Sequence, residues 1–203
     1  MNTSISIDSK IQPNLFIWNN LGNAKHRTKD QQLLLQEKTR TFLSSLSPED
    51  IIIFTDGSVK DPSEDGSGLC GAGSVIYNNG LLSPPIELPT PISSKSIAYH
   101  GELGAIESAL KFCKNMYGKT IRILSDCQSA IQTVLSNKSP DSYTTLVNSI
   151  KRLSHHLHNR SCTISISWVG GHCNILGNEL ADKVAKEACD NASNQSHFLS
   201  FQN

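Results

Sequence analysis

Asp56 follows the apolar run IIIF of residues 51–54, in the segment FTDGS. A continuous β-branched and aromatic run is the pattern of a central strand covered on both faces. The spacing therefore predicts a carboxylate just past a central strand, at the sheet edge where open α/β sheets place their ligands. Taken alone, a turn-forming Asp before Gly57 is the simpler explanation. Asp126 repeats the arrangement after residues 120–124, in ILSDCQSA, and it could equally cap the helix that follows. Two such strand ends, if adjacent and parallel, bring two carboxylates together. Glu102 is defined by helical geometry. At about 100° per residue, Tyr99, Leu103, Ile106, Ala109, Leu110 and Cys113 form one apolar stripe with Glu102 inside it, while Ser108 and Lys111 lie opposite. A carboxylate aimed at a sheet needs a partner, because an unpaired buried charge is too costly to persist. No basic residue occupies a core-facing strand position nearby, and a metal ion shared with Asp56 and Asp126 meets the need. Asp182 lies across from the apolar side of its helix (Leu180, Ala181, Val184, Ala185, Ala188) and four residues before Lys186. An exposed ion pair accounts for it, and periodicity alone would not select it.

The elements that must position these residues follow from periodicity and turn signals. Residues 51–54 and 69–77 read as strands, and Asn78-Asn79-Gly80 is a hairpin signal leading into a third. Residues 97–114 read as a helix, 120–124 as a strand, and helices follow near 128–135 and 143–157. Residues 163–168 alternate as a strand, and 174–189 form a closing helix. The order βββαβααβα predicts a mixed five-stranded sheet, three antiparallel strands extended by two parallel ones, flanked by helices. Residues 1–48 read as a leader or linker, partly helical over 29–46; the domain spans 49–190, and 191–203 form a polar tail.

A chain of 203 residues suits one domain with flanking segments. The 18 basic and 18 acidic residues cancel, which argues against a strong independent grip on nucleic acid. The basic cluster Lys151, Arg152, His155, His156, His158 and Arg160 is modest and reads as a solvated helix end. No apolar run approaches the roughly 18 residues of a membrane span, and residues 1–16 carry no secretory pattern. The expectation is an intracellular protein, cytoplasmic or nuclear, with no membrane partner. Six irregularly spaced cysteines without a C-x-x-C pair read as reduced thiols rather than a zinc site. GSGLCG at 66–71 fits the dinucleotide pattern G-x-G-x-x-G, but strand-like residues follow it instead of the required helix. The acidic segment 61–66 faintly resembles a calcium loop but has Ala72 at the twelfth position.

FTDGS, GELGAI, LSDCQSA and WVGGHCNILGNELADKVAKEA together resemble, in order and spacing, the four blocks of type 1 ribonuclease H. The likeness covers about residues 50–190 and is closest to the ribonuclease H domains of retroelement reverse transcriptases, especially those of non-LTR retrotransposons. It implies that Asp56, Glu102, Asp126 and Asp182 are metal-binding carboxylates, and that His172 assists proton transfer or product departure. It implies two Mg²⁺ ions, with Mn²⁺ as a substitute, and hydrolysis of the RNA strand of RNA–DNA hybrids. A further partner would be a reverse transcriptase domain in the same polyprotein. RNA recognition through 2′-hydroxyls makes sequence preference weak, with Gly57, Ser58 and Gln128 as candidate substrate contacts. Asn178 is expected to fix the start of the last helix. Gly101 replaces the usual Ala before the Glu, and WVGGH lacks the proline of the family's WVPGH, which implies a looser His172 loop. The alternatives are a catalytically inactive scaffold or interaction domain of this fold, and a DNA-cutting nuclease of the same fold.

Overall fold

The computed structural model describes residues 27–136 and 143–199, with side chains described as far as residue 192 in the last helix. The apolar run begins β1 (Ile51–Lys60), whose first five residues are buried. β1 lies in the middle of a five-stranded sheet with β2 (Gly68–Tyr77), β3 (Ile86–Ser96), β4 (Thr120–Ser125) and β5 (Thr163–Trp168), ordered β3-β2-β1-β4-β5. The β1–β2 and β2–β3 pairs are antiparallel, and β1–β4 and β4–β5 are parallel. This is the mixed sheet expected from the sequence.

β1 is longer than its apolar run. Its antiparallel pairing with β2 continues to Lys60↔Leu69, whereas its parallel pairing with β4 stops at Thr55↔Ser125. Asp56 therefore lies inside a strand, at the point where the parallel half of the sheet ends, and not in a turn past it. β3 is an edge strand carrying Pro89 and Pro91, which pair with Gly73 and Gly71.

Side chains on β2 alternate between two helical layers. Gly71 and Gly73 face α5 (Leu176–Leu199), while Ala72 faces α2 (Ala98–Cys113). α5 thus covers β1–β3 on one face. α2 covers the other beside α4 (Thr144–His158), with α3 (Gln128–Leu135) following β4. α5 runs ten residues beyond the end expected at 189. Ser108, expected on the outer face of α2, is buried and donates to Thr90 Oγ1 at 3.0 Å. α2 is wide enough in contact with the sheet to meet β3 as well as β1.

Ahead of the sheet, α1 (Lys29–Ser44) starts with a reciprocal cap between Thr28 and Gln31. It buries Leu35 fully, and Phe42, Leu43 and Leu46 pack against the same core. Part of the expected leader is therefore packed against the sheet domain. All six cysteines are free thiols, and five are buried. Among the described residues no helix is long and apolar enough to cross a membrane.

Candidate active site

The β1–β4 register places Asp56 and Asp126 side by side. Thr55 pairs with Ser125, the last pair of the ladder, and the residue that follows each of them is the carboxylate, on strands about 4.8 Å apart. Asp126 is not the cap of α3: that position is Cys127, which makes no side-chain cap bond. Glu102 arrives from the first turns of α2. A Cβ on Gly57 would overlap the backbone of Gly101 and Glu102, and a Cβ on Gly101 would lie 2.9 Å from the Gly57 Cα. The two glycines let helix and strand backbones touch, and Glu102 reaches Asp56 across the gap. Carboxylate oxygens of Asp56, Glu102 and Asp126 all lie within 4.8 Å of one another.

Their protonation reflects burial first and this crowding second. Burial and the neighbouring Asp126 push Asp56 up to about 7, against the opposing Gly57 N–H, which donates to Asp56 Oδ1 at 2.8 Å. Burial, then Asp56, holds Glu102 well above the usual carboxylate range. Burial also raises Asp126, while the Asn178 amide and His172 oppose the rise. Three carboxyl groups so placed cannot all ionise without a cation. An all-oxygen donor set suits a hard divalent ion. Glu102 Oε2 is shielded from solvent and has no hydrogen-bond partner among the described residues, so the site fits such an ion.

Asp182 stands apart. It accepts from Lys186 Nζ at 2.6 Å, the ion pair anticipated from their spacing. It is outside the three-carboxylate cluster, yet near enough to raise Asp56 and Asp126. His172 is exposed on the loop between β5 and α5, beside Asp126. His172 has φ +55° and Asn174 φ +52°. Left-handed backbone costs a non-glycine residue about 1 kcal/mol or more, so this loop needs support from its surroundings. Gly171 sits against Asp126, where a Cβ would overlap Oδ2. Trp168 Nε1 donates to the Asp126 carbonyl at 2.8 Å.

Among the candidate substrate contacts, Gly57 lies beneath α2. Ser58 is half-buried in β1, its carbonyl facing the Cys189 thiol at 3.3 Å, and Gln128 opens α3 two residues after Asp126. Asn178 does more than the helix-start role expected of it. It is buried, and its Nδ2 donates to Asp126 Oδ2 at 3.4 Å, so it orients a carboxylate. Its place in GNELAD, close to Asp182, is the signal in the sequence that points to the site. Two members of the basic cluster are bound to carbonyls, Arg160 to Met116 and Asn115 and Lys151 to Ser136, while Arg152 is exposed.

The fold brings three carboxylates together where β1 and β4 part, in an arrangement that could hold a metal ion. A sequence profile of the RNase H family matches residues 48–190, and the chain belongs to that family. Solved structures share the fold. The N-terminal RNase H domain of rv2228c from Mycobacterium tuberculosis, solved as a fusion with maltose-binding protein, is 17% identical with TM-score 0.55. That match covers 72% of this chain and 98% of that one. RNase H1 from Halobacterium salinarum NRC-1 is 20% identical with TM-score 0.53, covering 70% and 99%. The foamy viral protease–reverse transcriptase in complex with RNA/DNA hybrid is 19% identical with TM-score 0.53, covering 70% of this chain and 20% of that one. Compared by sequence with curated proteins, the chain has no significant match.

Proposed function

We propose that this chain is a metal-dependent endonuclease that hydrolyses the RNA strand of RNA–DNA hybrids. The observation that carries the reading is the convergence of Asp56, Glu102 and Asp126 within 4.8 Å, in a chain of the RNase H family. These residues would hold two Mg²⁺ ions, or Mn²⁺ in their place, with Asp182 completing the set. Two such ions supply Lewis acidity to the attacking water and the leaving 3′-oxygen. The Gly57 N–H and the Asn178 amide fix the orientation of Asp56 and Asp126. His172, exposed beside Asp126, takes or gives a proton as product forms and leaves. Ser58 and Gln128, with the backbone at Gly57, face the RNA strand.

Residues 49–190 form the nuclease unit of this reading. It works inside the cell, in cytoplasm or nucleus, within retroelement reverse-transcription machinery and beside a reverse transcriptase domain of the same polyprotein. The likeness to a segment of the foamy viral enzyme supports that context. The ion pair between Asp182 and Lys186 favours an inactive scaffold of the same fold, because it ties up the fourth carboxylate. Matched RNA–DNA, DNA–DNA and RNA–RNA duplexes incubated with Mg²⁺ decide the matter. Cutting confined to the RNA of the hybrid is expected. Cutting of DNA–DNA, or of no duplex at all, would refute the reading.

A further inference from the structure

Arg27 and α1 lie outside the family-matched residues 48–190, yet both touch the loop that carries His172. Arg27 Nη1 donates to the Gly171 carbonyl at 3.0 Å, the peptide that leads into His172, and contacts Cys173 Sγ at 3.7 Å. Its guanidinium carbon stands 5.8 Å from the ring centre of Trp168, whose Nε1 holds the Asp126 carbonyl. One turn and a half into α1, Leu35 is fully buried over Gly170. A Cβ at Gly170 would lie 2.6 Å from Leu35 Cγ and 3.1 Å from Cys173 Sγ, so glycine there is what admits the leucine. The Thr28–Gln31 cap fixes the helix start immediately after Arg27. Hydrogen bond and apolar plug thus converge from one segment onto one loop, and the cation–ring contact onto Trp168 at the strand end that leads into it. That loop carries two left-handed non-glycine residues, His172 and Asn174, and has a bond of its own from the Cys173 thiol to the Gly171 carbonyl at 3.3 Å, to which Arg27 adds a second donor.

We propose that Arg27 and Leu35 are positioning residues for the nuclease reaction: the segment from Arg27 through α1 is a brace that sets the His172 loop against Asp126. The proposal rests on the nuclease reading, and its test has one arm that does not. In the full 203-residue chain, metal-free amide hydrogen exchange of residues 170–174 should quicken about tenfold or more in Arg27→Ala, with β1 and α2 unchanged. In hybrid cleavage with Mg²⁺, Arg27→Ala should lower kcat about 10- to 100-fold, the scale of a misplaced catalytic group, with KM within about twofold. Combined with His172→Ala it should cost nothing further. Because Leu35→Ala opens the core, Gly170→Ala serves as the second perturbation. It should slow turnover by overlap with Leu35, and Leu35→Ala added to it should recover most of that loss.

Unchanged exchange at 170–174 in Arg27→Ala would overturn the brace whether or not the chain cuts hybrid. Fully additive losses with His172→Ala would overturn the route through the loop. A wild-type chain that cuts no hybrid would overturn the nuclease reading alone, leaving the exchange result to decide the brace.

Discussion

Asp56→Asn removes one charge from the cluster while keeping the volume of the side chain. Oxygens of the three carboxylates lie within 4.8 Å, and two unit charges at that separation repel by roughly 3.5 kcal/mol at an effective dielectric of about 20. Burial first, and the neighbouring Asp126 second, lift Asp56 from 3.8 to about 7, a differential of about 4 kcal/mol between protonation states, of which repulsion is only one part. An acid with a raised folded pKa keeps its proton longer when folded than when unfolded. The contribution of Asp56 to metal-free stability is therefore complete below about pH 4, falls as pH climbs towards 7, and levels off above it. Proton retention by Glu102 and outward movement of the side chains relieve much of the repulsion, so a net gain of about 1–2 kcal/mol is expected from the substitution. At about 2–4 °C per kcal/mol for a domain of this size, metal-free Asp56→Asn should melt roughly 2–8 °C above wild type at pH 8. Its decline between pH 4 and 7 should be flatter. Millimolar Mg²⁺ should raise the wild-type Tm and raise that of the variant less. Calorimetry in chelator and in Mg²⁺, from pH 4 to 8.5, reads all three effects. A metal-free variant that melts below wild type at pH 8 would refute the repulsion argument, and a wild-type Tm indifferent to Mg²⁺ would refute a tight cation site.

Asp126→Asn should abolish hybrid hydrolysis without lowering the Tm, and near-normal cutting by uncontaminated variant would remove the two-metal assignment. His172→Ala should slow turnover by up to about 10²–10⁴-fold while leaving measurable activity; unchanged turnover under chemistry- or release-limited conditions would exclude His172. Asn178→Ala frees Asp126 from its amide, and calorimetric titration should record about 10- to 100-fold weaker Mg²⁺ binding. Equal affinity would mean that Asn178 does not orient the carboxylate. Hybrid binding in Ca²⁺ should be weak and should fade with salt, because each Lys or Arg contact to phosphate adds a log–log slope of about −0.9, the charges of the chain cancel, and Lys151 and Arg160 are engaged with carbonyls. Nanomolar affinity at physiological salt would reveal a basic surface elsewhere.

Glu102 is legible in the sequence alone, because a carboxylate inside an apolar stripe contradicts its surroundings and demands a partner. The apolar run of residues 51–54 likewise announces the central strand. It does not announce where that strand ends: apolarity reports burial by helices, whereas β1 continues through hydrogen bonds to β2 that polar residues make equally well. Asp182 is opaque for a different reason, since the pair with Lys186 is what any exposed helix offers. Ser108 falls on the wrong side of a helical wheel because the wheel assumes one covered face, and β3 supplies a second contact. The role of Arg27 is beyond the reach of local patterns, since its acceptor lies 144 residues away. No short spacing encodes a contact of that range.

The two prolines of β3 bear on how this domain behaves in company. A proline offers no N–H, and on an edge strand the position it tolerates is the one whose N–H would point away from the sheet. With Pro89 and Pro91 two residues apart, the outer margin of β3 lacks successive donors that an incoming strand would need. The margin is blunted against strand addition, the usual route by which exposed sheets aggregate. Crowded copies of the domain, or neighbours tethered to it in one long chain, should find no template for β-augmentation along that side.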